Sequence, residues 1–192
     1  MISSLCVFCG SSSRVAAVYR QSAAELGTAV ARRGLRLVYG GGRIGLMGVL
    51  ADGALAAGGE VVGVIPEFLR GLEVAHTGLS ELRVVPTIHD RKRVMFELAD
   101  AFVVLPGGIG TLDETIEIVS WKQLRLHDKP LVLIDVGGFW KRLRALVDHI
   151  VAEGFADPEH AGMLTWVSSI DEALEALGHA PPARVSADAK WT

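Results

Sequence analysis

The sequence predicts a single doubly wound, Rossmann-like α/β domain: a mostly parallel sheet with helices on both faces. Three observations carry that expectation. Short runs of Val, Ile and Leu are continuous rather than alternating, which suits strands covered on both sides. Longer amphipathic segments separate them, as right-handed crossovers between parallel strands require. Three of the strand ends run into small-residue turns, each followed by a helix, so those turns gather on the carboxyl edge of the sheet. A chain of 192 residues suits one such domain with a full core.

The elements follow in order. Residues 4–9 read as a buried strand and 15–33 as a helix ended by Gly34; 35–39 is a second strand leading into Gly40-Gly41-Gly42. Residues 46–57 form a small-residue helix closed by Gly58-Gly59, and 61–65 a third strand stopped by Pro66. The stretch 67–80, with Gly71, His76 and Gly78, reads as irregular. A strand at 82–85, a helix at 89–98 and a strand at 101–105 precede the last glycine turn. Beyond it come a helix at 111–126, a strand at 131–136, a helix at 139–153, a strand at 165–167 and a helix at 171–177. The domain is expected to span 1–179, and the tail 180–192, with Pro181-Pro182, to be mobile.

Composition narrows the function classes. Net charge is -3 with no basic block, which disfavours nucleic acid as a partner. No apolar stretch reaches the ~18 residues of a membrane span, and no cleavable leader is visible at the start, so a cytoplasmic protein is expected. The two cysteines, Cys6 and Cys9, have C-x-x-C spacing. Strand alternation sends their side chains to opposite faces, and no second pair completes a zinc site, so they read as buried structural thiols.

The 22 glycines point to places where backbone approaches a ligand. The three turns are Gly10-Ser11-Ser12-Ser13, Gly40-Gly41-Gly42-Arg43-Ile44-Gly45 and Gly107-Gly108-Ile109-Gly110-Thr111. Each offers backbone N–H groups and the positive end of a helix, the ingredients of a phosphate site. The substrate-binding set expected on that edge is Ser12, Gly41, Gly42, Gly107, Gly108, Gly110 and Thr111. Gly40, Gly42 and Gly45 also fit G-x-G-x-x-G, with Glu67 as a ribose ligand. That dinucleotide reading is weakened because the motif follows the second strand and Pro66 precedes Glu67.

Two charged residues stand out. Arg91, Lys92 and Arg93 open a helix, where the macrodipole disfavours cations by roughly 0.3–1 kcal/mol each. An anionic ligand would offset that cost for Arg91, the first of the run, while Lys92 and Arg93 read as solvated on an exposed face. Glu114 admits two readings that stay open. Thr111-Leu112-Asp113-Glu114 has the form of a capping box. Alternatively Glu114, Glu117 and Trp121 share a stripe facing the pocket, with Leu112, Ile116 and Val119 toward the sheet. A carboxylate beside a sugar serves glycosidic cleavage.

With these residues assembled, the chain resembles the LONELY GUY family of cytokinin riboside 5′-monophosphate phosphoribohydrolases, long misnamed lysine decarboxylases. The resemblance runs from Cys9-Gly10-Ser11-Ser12 through Gly40-Gly41-Gly42 to Trp121-Lys122-Gln123-Leu124 and His127-Asp128-Lys129-Pro130. The hallmark P-G-G-x-G-T-x-x-E stands at Pro106 to Glu114. The resemblance implies release of adenine or an N6-substituted adenine and ribose 5-phosphate from a nucleoside 5′-monophosphate. It implies Arg91 and Glu114 as catalytic residues, a homodimer, and no metal or organic cofactor. Ile109 replaces a frequent tyrosine, and Arg125 a frequent glycine. The first touches packing beside the phosphate, the second the dimer or base pocket. The rival class is a non-catalytic nucleotide-binding or carrier module. A lysine decarboxylase would need a Schiff-base lysine for pyridoxal phosphate, and Lys92, Lys122, Lys129, Lys141 and Lys190 offer no persuasive one.

Overall fold

The computed structural model describes residues 2–70, 75–180 and 184–185. The strands are β1 (Ser4–Phe8), β2 (Arg36–Tyr39), β3 (Val61–Pro66), β4 (Glu81–Val85), β5 (Ala101–Val104), β6 (Leu131–Ile134) and β7 (Thr165–Val167). They form one sheet in the order β4-β3-β2-β1-β5-β6-β7, and every pair is parallel. The doubly wound fold is the one the apolar runs predict. From β1 the chain builds outward to β4, then returns to the other side of β1 with β5. The carboxyl ends of β1 and β5 therefore border the crevice where open α/β sheets take their ligands.

Each sheet face packs its own cluster. Helices α1 (Ala17–Arg32), α2 (Gly45–Ala56) and α8 (Ile170–Gly178) cover one face, where Leu26, Val30, Leu50 and Leu174 meet Leu5, Leu37 and Val103. Helices α4 (Ile88–Leu98), α5 (Ile109–Gln123) and α6 (Lys141–Ala152) cover the other, with Met95, Phe96 and Ile118 against Phe8, Phe102 and Val104. Each fully buried aliphatic or aromatic side chain contributes ~1.5–3 kcal/mol. The alternation of β1 separates the cysteines as expected: Cys6 joins the second cluster and Cys9 the first. Burial pushes both thiols above their ordinary pKa, which keeps them protonated.

Two segments differ from the expectation. Within 67–80, Glu67–Arg70 forms a helical turn, α3, and Gly71 lies outside the described residues. A further short helix, α7 (Pro158–Ala161), forms where the sequence reading placed nothing; Pro158 opens it and Asp157 caps it.

The sharper corrections fall on α5. It begins at Ile109 with Gly108 as its N-cap and no side-chain cap bond, so the capping box expected of Thr111 and Glu114 does not form. Thr111 instead lies inside the first turn, buried against Gly107. The sheet-facing side is Thr111, Thr115 and Ile118, all buried, whereas Ile116 is 44% exposed. Short threonines bring this helix close to the sheet and leave Leu112 and Val119 on its flanks, packed against the second cluster.

The end of α5 is a complete Schellman turn. The Leu126 N–H donates to the Trp121 carbonyl (3.0 Å) and the Arg125 N–H to that of Lys122 (2.9 Å). Arg125 occupies the left-handed position, with φ 60°. Of the tail, Arg184 and Val185 pair with His127 and Asp128; 181–183 and 186–192 lie outside the described residues. No helix among the described residues is long and apolar enough to cross a membrane.

Candidate active site

The three small-residue turns meet on the carboxyl edge. The Gly10 N–H donates to the Pro106 carbonyl (3.1 Å), and the Leu46 N–H to that of Gly10 (2.9 Å). These bonds tie the ends of β1 and β5 to the start of α2. Ser11 and Ser12 are exposed beside them.

The turn after β5 presents its backbone outward. The Leu112 N–H is bonded back to the Gly108 carbonyl (3.0 Å), so the N–H groups of Ile109, Gly110 and Thr111 precede the helical ladder and carry the positive end of α5. A Cβ at Gly107 would lie 2.1 Å from Thr111 Oγ1, but one at Gly108 or Gly110 meets nothing within 4 Å. Both are exposed, and neither has a positive φ. Their lack of a side chain is explained by neither packing nor backbone strain.

The turn after β2 is used differently. Gly41 and Gly42 are buried; Gly42 pairs with Ala75, and the Gly41 carbonyl accepts from the His76 N–H at 3.0 Å. His76 in turn hydrogen-bonds Asp52 through Nε2 (2.9 Å). Glu67, the ribose ligand of the dinucleotide reading, is exposed and paired with Arg70 at 3.4 Å.

Arg91 sits in the first turn of α4, which Thr87 caps by accepting the Asp90 N–H (3.0 Å). Its side chain runs inward and is 8% exposed. Nε donates to the Val64 carbonyl (3.1 Å) and Nη2 to that of Gly40 (2.9 Å). Nη1 lies 4.0 Å from Glu114 Oε1, whose side chain is 14% exposed. The structure thus brings Arg91 and Glu114 together from two helices of one face. Burial is the main cause that raises the Cys9 thiol's pKa; the Glu114 carboxylate adds to the rise and the Arg91 guanidinium opposes it. A carboxylate and a guanidinium held this way can orient hydroxyl groups and stabilise developing charge.

Lys92 departs from its expected solvated position. Its ammonium lies 3.2 Å from Asp113 and 3.0 Å from Glu117, with the side chain 11% exposed. Those two carboxylates flank Glu114 in sequence, and pairing with them is what draws the lysine in. Arg93 remains near the surface with Asp90 and Glu97.

The Gly107-Gly108 turn also borders a pocket of about 270 Å³. Gly10, Ser11, Ser12, Pro106, Gly107 and Gly108 form its rim, and Val15, Tyr19, Leu46 and Phe139 its apolar walls. Thus Ser12, Gly107 and Gly108 meet in one cavity, whose lining does not include Arg91 or Glu114. The sequence reading missed Tyr19 and Phe139. A signal existed in Gly137-Gly138, another small-residue turn after a strand end, with φ 63° and 78°, but the helix expected from 139 swallowed it.

Lys129 is the lysine most altered by its surroundings, its pKa lowered to about 8 by burial. Its ammonium donates to the Phe96 carbonyl (2.7 Å) and covers the Phe96 ring at 3.8 Å. It thereby fastens the last turn of α4, a structural task rather than that of a Schiff-base nucleophile. Among the described residues, Asp157, Glu159 and His160 hold ligand-type atoms within 4.8 Å of one another. Asp157 and His160 are already committed to capping α7.

Residues 47–177 match the family profile described as "Possible lysine decarboxylase". The chain is 46% identical over 175 residues to the cytokinin riboside 5′-monophosphate phosphoribohydrolase of Rhodococcoides fascians, covering 91% of this chain and 88% of that one. It is 41% identical over 173 residues to the enzyme of that name, LOG1, from Arabidopsis thaliana, covering 90% and 81%. Among solved structures, the molybdenum cofactor carrier protein of Chlamydomonas reinhardtii superposes with a TM-score of 0.70 at 22% identity, over 91% of this chain and 95% of the carrier. That likeness speaks for the fold alone. The profile and the curated relatives agree, and the chain belongs to the LONELY GUY family, the family of the cytokinin riboside 5′-monophosphate phosphoribohydrolases.

Proposed function

We propose that this protein hydrolyses the N-glycosidic bond of adenosine 5′-monophosphate and its N6-substituted forms, releasing the free base and ribose 5-phosphate. The names of its relatives support the reaction. The observation that carries the residue assignment is the buried Arg91–Glu114 pair beside the outward-facing start of α5. The phosphate sits on the N–H groups of Ile109, Gly110 and Thr111, where the helix end favours an anion, with Gly107, Gly108 and Ser12 on the rim. Gly41 and Gly42 support the site from beneath, through the Gly40 carbonyl that holds Arg91.

Water attacks C1′ as the C1′–N9 bond breaks, its electron pair leaving with the purine. Glu114 engages the ribose hydroxyls and takes one proton from the attacking water; the departing purine takes up one proton from solvent, and Glu114 afterwards returns its own there. Arg91 orients the nucleotide and stabilises the charge that develops. Lys92 holds Asp113 and Glu117 aside, so that Glu114 is the carboxylate turned to the sugar. The active form is a cytoplasmic homodimer, and Ile109, Ile116 and Leu124, exposed at 81%, 44% and 68% along one stripe of α5, supply an apolar surface for it. We place the domain at 1–179, as the sequence predicts, with Arg184 and Val185 of the segment beyond it paired back onto His127 and Asp128.

The test is base release from AMP and from N6-isopentenyl AMP, followed by chromatography. Glu114→Gln is expected to lower turnover by about 10²–10³-fold with an unchanged circular dichroism spectrum. Near-normal turnover in the folded variant would remove Glu114 from the mechanism. A wild-type protein that binds AMP and leaves it intact would favour the carrier reading.

A further inference from the structure

We infer that His76 is a positioning residue for Arg91: with Asp52 it clasps the glycine turn after β2, and that turn holds a carbonyl on which the guanidinium rests. This builds on the proposed catalytic role of Arg91 and adds the groups that keep it in place.

The need for a clasp begins in the sequence. Gly40, Gly41 and Gly42 are successive glycines, and ordering glycine costs more backbone entropy than ordering any other residue. Yet the Gly40 carbonyl accepts from Arg91 Nη2 at 2.9 Å, while Nε is bonded to the Val64 carbonyl at 3.1 Å. A guanidinium is planar and its donors form a rigid fork. A shift of either carbonyl therefore re-aims Nη1, the nitrogen 4.0 Å from Glu114 Oε1. The aim of Arg91 thus depends on a turn with no side chains of its own to hold it.

Ala75 and His76 supply the hold. Ala75 bridges Gly42 in antiparallel fashion, and the His76 N–H donates to the Gly41 carbonyl (3.0 Å). The His76 ring is anchored at both nitrogens. Nδ1 accepts the Gly78 N–H at 3.0 Å. Because a backbone amide can only donate, the ring proton sits on Nε2, which donates to Asp52 Oδ1 at 2.9 Å. Asp52 belongs to α2, whose first turn is itself bonded to the Gly10 carbonyl through the Leu46 N–H. The His76 side chain is 6% exposed, so the imidazole is packed in place. Strand β3 makes room for the arrangement at Gly63, where a Cβ would stand 2.5 Å from Leu79 Cδ1 and 2.7 Å from Gly41 Cα.

The test places His76→Ala, His76→Gln and Asp52→Ala in the wild-type and Arg91→Ala backgrounds. It reads AMP turnover and, independently, the NMR signals of the arginine Nε–H groups. His76→Ala should lower kcat by about tenfold to 10²-fold, since misplacing a group by about 1 Å can cost about 10²-fold. In the Arg91→Ala background the same change should cost less than about twofold, because groups that act as a unit are not additive. A merely structural histidine would cost the same in both. The Gln side chain can still donate to Asp52 from near the place of Nε2, so His76→Gln should recover most of the kcat. The Arg91 Nε–H signal, identified by its loss in Arg91→Ala, should shift or vanish by exchange in His76→Ala and persist in His76→Gln. Equal losses in the two backgrounds, or an unchanged Nε–H signal in folded His76→Ala, overturn the positioning role. If His76→Ala does not fold, Asp52→Ala at the exposed end of the clasp decides. It should lower kcat by about threefold to tenfold, the weight of one hydrogen bond, and move the same signal; no change in either overturns the role. A wild type that leaves AMP intact, with an Nε–H signal that still depends on His76, would sink the hydrolysis and leave the clasp standing.

Discussion

The two glycine turns after β2 and β5 look alike in sequence and differ in what their glycines are for. At Gly40 and Gly41 the space of the missing side chains is filled by protein. A Cβ at Gly40 would lie 2.0 Å from Arg91 Nη2, and Gly41 has a φ of 75° with Ile65 and Val64 close by. In Gly107-Gly108-Ile109-Gly110 only the first is crowded, and Gly108 and Gly110 face open space. One turn seats the arginine; the other leaves backbone uncovered where a phosphate would approach. Glycine content announces a close approach, and only the surroundings say whether the visitor is a side chain or a ligand.

The largest effect should come from filling the first turn. Gly40→Ala puts a methyl where the Arg91 guanidinium lies, and backbone on both sides limits its escape, since Arg91 is also bonded to the Val64 carbonyl. We expect a loss of about 1–3 kcal/mol in unfolding free energy from overpacking, read by urea denaturation. Base release should fall by about 10²–10³-fold as Arg91 is displaced. Wild-type turnover in a folded Gly40→Ala protein would mean that Arg91 does not need this seat.

Filling the second turn should separate stability from function. Gly110 lies in the first turn of α5 with nothing near its Cβ position. Alanine there should leave the fold intact and raise stability by up to ~0.5–1 kcal/mol. If phosphate approaches that backbone, the new methyl obstructs it, and KM for AMP should rise about tenfold, the weight of roughly one hydrogen bond to a charged group. A Gly110→Ala enzyme with unchanged KM would leave its glycine without a function and move the phosphate elsewhere.

How much of this was legible in the sequence follows from what each feature depends on. The strands were legible, though not their order in the sheet, because continuous Val, Ile and Leu runs such as Leu131-Val132-Leu133-Ile134 leave few alternatives. Arg91 was legible because a cation at a helix start needs a reason. Lys92 was not: its draw toward Asp113 and Glu117 depends on how α4 packs beside α5, which no local pattern encodes. The box at Thr111 and Glu114 misled for the opposite reason. The local pattern was correct in form, but Gly108 started the helix early and the burial of Thr111 against Gly107 settled its side chain. Phe139 needed the sheet order, because only that brings the end of β6 near the start of α1.

The smallest expected effect lies at the far end of α5 and concerns Arg125. Its departure from the family's frequent glycine has a backbone account: the position closes a Schellman turn at φ 60°, where a side chain is strained and glycine is not. The αL strain of a non-glycine residue is of order 1–3 kcal/mol, but glycine also adds chain entropy to the unfolded state. The balance should favour Arg125→Gly by about 0.5–1 kcal/mol, a gain of a few degrees in Tm. Turnover of AMP should not change, because the guanidinium is exposed and the turn keeps its two hydrogen bonds. Stabilisation without a change in kcat/KM would assign this position to the helix end. A drop in activity or in the dimer fraction on size-exclusion chromatography would show instead that this chain uses the arginine at an interface, and that the strained turn is kept for it.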